Sequence, residues 1–166
     1  MKIHNDHMYH GAALCQIAEY PRRTEINAFE SGGQISRNGF VVNRRIGLYL
    51  KYCTHHQEPY HEYRFYFTQD NLREIALMQR KTEKLFFGLI CVREGEICCL
   101  SSHEIEELVN RRRQSKGKEE NRYGIIVAFE QQERFRVYVN SPETRSQRLG
   151  DPILIPRNDF PRRLFC

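Results

Sequence analysis

The chain has 166 residues, 26 of them Lys or Arg and 21 Asp or Glu, for a formal net charge of +5 at neutral pH. That length suits one domain with a core able to bury about two-thirds of the surface an unfolded chain exposes, and a second independent domain is not expected. Charges of both signs are interspersed, so the basic excess favours acidic partners modestly and does not by itself define nucleic-acid binding.

No apolar run approaches the length of a membrane span, and the start Met1-Lys2-Ile3-His4-Asn5-Asp6 lacks the apolar segment of a secretory signal. Six cysteines stand at 15, 53, 91, 98, 99 and 166, with no Cys-x-x-Cys pair. Cys91, Cys98 and Cys99 fall in apolar, strand-like segments and read as small core residues kept reduced. The expectation is a cytoplasmic protein with no membrane partner, cysteine-based zinc binding being the alternative.

In chain order, Met8, Ala12, Leu14, Cys15, Ile17 and Ala18 put apolar weight on one side of a short helix over 7–18, which Pro21 stops. Thr24 to Phe29 reads as a further helical turn or two, with Thr24 as N-cap, before Ser31-Gly32-Gly33 breaks the chain. Phe40-Val41-Val42 and Ile46-Gly47-Leu48-Tyr49-Leu50 are β-rich, joined by Asn43-Arg44-Arg45 either as a tight turn or within one longer bent strand. Lys51 ends the second run. A lysine there either covers a core edge with its stem or has a chemical role.

A polar loop over 55–60 leads to the aromatic strand Tyr63-Arg64-Phe65-Tyr66-Phe67. Asp70 is placed to cap a helix from Asn71 to about Thr82, with Leu72, Ile75, Ala76 and Gln79 on one face. Leu85 to Val92 runs without a polar break, the pattern of a central strand buried on both faces, and Glu94-Gly95 turns it back into Ile97-Cys98-Cys99-Leu100. Ser101 and Glu104 have capping-box spacing ahead of a helix with Ile105, Leu108 and Val109 as its apolar stripe. That helix is read as ending at Arg111-Arg112-Arg113, where cations complement its dipole. Residues 114–121 form a basic, solvated loop, followed by a hairpin of Tyr123–Phe129 and Arg134–Val139, and the aromatic residues of 160–165 are placed to pin the C-terminus.

From about His10 to Val109 this order of elements resembles the PD-(D/E)XK restriction-endonuclease-like superfamily, with Tyr49-Leu50-Lys51 at the (D/E)-x-K position. The resemblance implies an α/β class, with α+β as the alternative, built on a mixed central sheet flanked by helices. It also implies a metal-dependent nuclease that uses Mg²⁺, held by carboxylates, with the lysine stabilising charge near the attacking water. Here Tyr49 stands where the superfamily has an acid, and Asn43-Arg44-Arg45 where an aspartate is expected. A tyrosine does not replace a metal-binding carboxylate at neutral pH. Glu19 and Glu62 are the acids that could have migrated to serve Lys51.

Arg44 and Arg45, and separately Arg111, Arg112, Arg113, Lys116 and Lys118, are the candidate nucleic-acid contacts, of the phosphate-binding and sequence-tolerant kind. His4, His7 and His10 recur every three residues, and His55-His56 with His61 flank a loop; either cluster has the ligands to bind zinc or copper, although the i, i+3, i+6 set is not the i, i+4 pair of a zinc protease. The expected function is a nucleic-acid-associated, restriction-endonuclease-like protein with a degraded or rearranged nuclease site, using DNA or RNA. The alternative is a non-enzymatic module that binds a protein partner in a phage-host conflict or phage-defence setting; in that case no cofactor is implied.

Overall fold

The computed structural model describes all residues except 59–60, 131 and 142–147. Helix α1 (Asn5–Glu19) buries His10, Ala13 and Ile17, one face at helical spacing. Met8 and Cys15, read from sequence as part of that face, are exposed. Residues 24–29 are not helical: strand β1 (Ile26–Ser31) pairs antiparallel with β2 (Gln34–Val42), Ile26 opposite Val42 and Ala28 opposite Phe40. The partner strand satisfies the backbone groups that a short isolated helix would leave open. Gly32 and Gly33, both left-handed (φ 59° and 78°), make the hairpin between them.

The link from β2 to β3 (Ile46–Cys53) is the tight turn, with Asn43 and Arg44 left-handed (φ 52° and 64°) and the Arg45 amide 3.3 Å from the Val42 carbonyl. After β4 (Glu62–Thr68), helix α2 (Gln69–Lys81) is capped by Thr68 and not by Asp70. Thr68 and Asn71 exchange side-chain and backbone bonds of 3.1 and 3.2 Å, a reciprocal cap. Strands β5 (Lys84–Cys91) and β6 (Glu96–Ser101) form a hairpin, and α3 (Ser102–Lys116) starts at the Ser101–Glu104 capping box. It runs a turn further than the sequence suggested and stops at Gly117, whose left-handed φ of 75° suits glycine. Strands β7 (Arg122–Ala128), β8 (Arg134–Asn140) and β9 (Arg148–Pro156) follow, then a 3₁₀ turn over Arg162–Phe165.

The architecture is α+β, with two sheets and three α-helices. One sheet is mixed, in the order β1-β2-β3-β5-β6; only the β3–β5 pairing in it is parallel. The other, β4-β7-β8-β9, is antiparallel throughout. The single central sheet expected from sequence is thus two, because β4 pairs along its whole length with β7.

Odd-numbered residues of β3 and β5, such as Tyr49, Phe87 and Leu89, face the second sheet, α2 and α3; even-numbered ones, such as Leu48, Leu50 and Phe86, face α1, Phe160 and Leu164. This burial on both faces explains the uninterrupted apolar runs. Gly88 is needed for the close approach there, since a Cβ would stand 2.7 Å from Leu50 Cδ2. Cys91, Cys98 and Cys99 are free thiols in these two cores, and burial pushes the Cys99 thiol up to about 12. No helix among the described residues is long and apolar enough to cross a membrane.

Candidate functional site

Lys51 lies opposite Leu89 in the parallel β3–β5 register and points toward the inter-sheet core. Its Nζ stands 5.3 Å from the centroid of the Phe67 ring, a cation–π contact. Burial holds its ammonium below the ordinary lysine value. Tyr49, two residues earlier on the same face, is 1% exposed. Burial first, then the charge of Glu74, pushes its phenol well above the usual range, so it stays neutral and is no substitute for a carboxylate.

The two acids proposed from sequence are not brought to Lys51. Glu19 is exposed at the last position of α1, which packs on the opposite face of the mixed sheet. Glu62 opens β4 and is 1% exposed, but its carboxylate is taken up by two guanidiniums. Oε1 accepts from Arg64 Nη2 at 3.1 Å, and Oε2 from Arg148 Nε at 3.1 Å and Nη2 at 2.8 Å. Neither of these two acids is therefore placed to hold Mg²⁺ beside Lys51, since that ion wants several oxygen ligands with free lone pairs.

The candidate cationic residues divide by position. Arg112 is 8% exposed and forms a bidentate pair with Glu120, at 2.8 and 3.1 Å, while also donating to the Asn140 carbonyl. Arg111 is paired with Glu107, and Arg113 with Glu119 at 2.5 Å. Lys116 closes α3 and Lys118 follows it, both exposed. The run that dominates the sequence electrostatically is thus largely neutralised by its own neighbours, and Arg112 is structural.

Arg44 and Arg45 have a different setting. Register aligns Ile26 with Val42, Val42 with Ile46 and Ile46 with Lys84, so the residues just before or at those positions line one end of the mixed sheet. Arg44 and Arg45 occupy the turn there, with side chains 83% and 65% exposed. Lys84 donates to the Cys166 carbonyl at 3.2 Å, and Arg22 lies 5.8 Å from the ring centroid of the adjacent Phe165. Arg23 is exposed beside Arg22. Glu25 and Glu83 are the acids in this group, pairing loosely with Arg44 at 3.2 Å and Arg45 at 3.9 Å. Lys51 is six residues along β3 from Arg45, about 20 Å at strand rise, so Lys51 and the arginine turn do not share a surface. Arg22, Arg23 and Lys84 were not singled out from sequence. Their grouping depends on the β1–β2 and β3–β5 pairings, which local pattern does not reveal.

Of the histidines, His4 and His7 interact at the start of α1, where the His4 amide donates to His7 Nδ1 at 3.1 Å. His10 is buried, with Nδ1 3.0 Å from the Arg37 carbonyl. Burial lowers its pKa. These three line one cavity between α1 and the β1–β2 hairpin, but they are not among the groups whose ligand atoms come within metal-binding reach of one another. Among the described residues, the metal-capable group of His, Cys, Asp or Glu is His56, His61 and Glu94, whose donor atoms all lie within 4.8 Å of one another. In the sequence Glu94 reads only as a turn residue.

Compared with known proteins, the chain matches no family model, no curated protein and no solved structure.

Proposed function

We propose that this protein is a nucleic-acid-associated α+β domain of restriction-endonuclease-like lineage that holds phosphates at the cationic end of its mixed sheet and does not hydrolyse them at Lys51. The observation that carries this reading is the grouping of Arg44, Arg45 and Lys84 at that end, with Arg22 and Arg23 just ahead of β1, where Glu25 and Glu83 are the acids paired with the two turn arginines. Exposed, loosely paired cations release counterions on meeting a phosphate backbone and bind it without reading bases. The lineage is supported by the order of α1, the β1-β2-β3 meander, α2 and a β5 parallel to β3, with Lys51 on the third strand. The non-hydrolytic half is supported by the placement of Glu19 at the exposed end of α1, a helix packed on the opposite face of the sheet, and by the arginine pairing of Glu62.

Incubating the purified protein with labelled DNA and RNA, with and without Mg²⁺ or Mn²⁺, tests both halves. Retention that weakens steeply with salt is expected, with intact nucleic acid throughout. Metal-dependent cleavage abolished by Lys51→Ala contradicts the second half. Absence of retention at low salt contradicts the first and leaves the protein-partner reading in its place.

A further inference from the structure

We infer that His56, His61 and Glu94 form a binding site for a divalent ion of the zinc class, independent of the nucleic-acid reading. His56 stands in the segment just after β3 and Glu94 in the segment just after β5; because these strands run parallel, both emerge at the same, carboxyl, end of the pair, with His61 just ahead of β4. That end is where parallel sheets characteristically place ligands. His56 and His61 come from one segment and Glu94 from the other, so an ion there would cross-link them.

The geometry around His56 points to a cation. Its side chain is 6% exposed, and Nε2 lies 2.6 Å from Glu58 Oε1. A carboxylate only accepts, so Nε2 donates to it, and Nδ1 is the ring nitrogen left to meet an ion. Nδ1 is shielded from water and has no hydrogen-bond partner, yet it faces Glu94 Oε1 at 3.6 Å. The gap is of ligand-to-ligand size: a tetrahedral zinc ion with bonds of about 2.0–2.1 Å holds its ligand atoms about 3.4 Å apart. His61 Nε2 supplies the third donor, now hydrogen-bonded to the same Oε1 at 2.6 Å; the ion would replace the proton between them.

The surrounding groups are those that orient metal ligands. Glu58 fixes the tautomer of His56, and the Tyr63 hydroxyl donates to the second oxygen of Glu94. Arg93 Nη1, 3.3 Å from His56 Nε2, is a cation touching the ring, set against the carboxylates of Glu58 and Glu94. Two imidazoles and one carboxylate suit Zn²⁺ and its neighbours Co²⁺ and Ni²⁺, and do not suit Mg²⁺ or Ca²⁺, which take oxygen. Three protein ligands leave a fourth tetrahedral position for water or another donor.

Calorimetric titration of the untagged, chelator-treated chain with Zn²⁺ tests this, with Mg²⁺ as the comparison ion and the visible spectrum of Co²⁺ as a report of coordination. His61→Asn removes the imidazole while suiting the left-handed backbone at that position (φ 48°). We expect one equivalent of Zn²⁺, weakened at least about tenfold by His61→Asn and by Glu94→Gln, and about tenfold by Glu58→Ala. His7→Ala, the control for casual chelation by His4 and His7, leaves binding unchanged. Wild-type affinity in both His61→Asn and Glu94→Gln, loss in His7→Ala instead, or Zn²⁺ binding no tighter than Mg²⁺ would overturn the site.

Discussion

At Lys51 an ammonium is held over the Phe67 ring with no carboxylate partner among the described residues, and burial lowers its pKa from 10.5. Below the lowered folded value the group is charged in both folded and unfolded chains, and the folded state bears the desolvation penalty. Raising the pH through the lowered folded value toward 10.5 removes the folded chain's proton first. The unfolded chain then binds more protons, so wild-type stability gains. Lys51→Met should be at least as stable as wild type at neutral pH, with an advantage that shrinks as the pH climbs into that alkaline window. Paired denaturant titrations across pH check this; an advantage that grows with pH would mean that the lysine is stabilised by an anionic partner.

Among the elements, α3 shows how a charge run misleads when read alone. Ser101, Glu104, Ile105, Leu108 and Val109 were legible because cap and stripe are local signals, and all act as their spacing indicates. Arg111 to Arg113 were not, because their partners Glu107, Glu119 and Glu120 come from the preceding turn and from a loop that folds back. Arg112→Ala leaves the partly buried Glu120 carboxylate without its guanidinium and should cost about 2 kcal/mol. Arg111→Ala, at a more exposed pair, should stay within about 1 kcal/mol. Thermal and urea unfolding measure both; equal small effects would show that Arg112 is also a surface charge. Strand β9 escaped the sequence reading for a related reason. Gly150 and Pro152 break its pattern, and such residues are tolerated because β9 is an edge strand with one ladder neighbour.

At the scale of the whole molecule, the sequence carried what is encoded by neighbours along the chain and lost what is encoded by pairing. The double-faced burial of β3 and β5 was visible in Ile46–Leu50 and Leu85–Val92. The departure of β4 to a second sheet was not, since Tyr63, Phe65 and Phe67 would look the same in either sheet. The same limit applies to function. Lys51 in an apolar strand, with Tyr49 two residues before it, was readable, whereas the grouping of Arg22, Arg23, Arg44, Arg45 and Lys84 and the convergence of Glu94 on His56 and His61 arise only when distant strands align. The most direct test of the account is the salt dependence of duplex DNA binding by wild type and by the double variant Arg44→Ala/Arg45→Ala. The slope of log affinity against log salt should become shallower by about 1.8, the loss of two phosphate contacts. A double variant with wild-type affinity and slope would contradict the cationic sheet end as the binding surface.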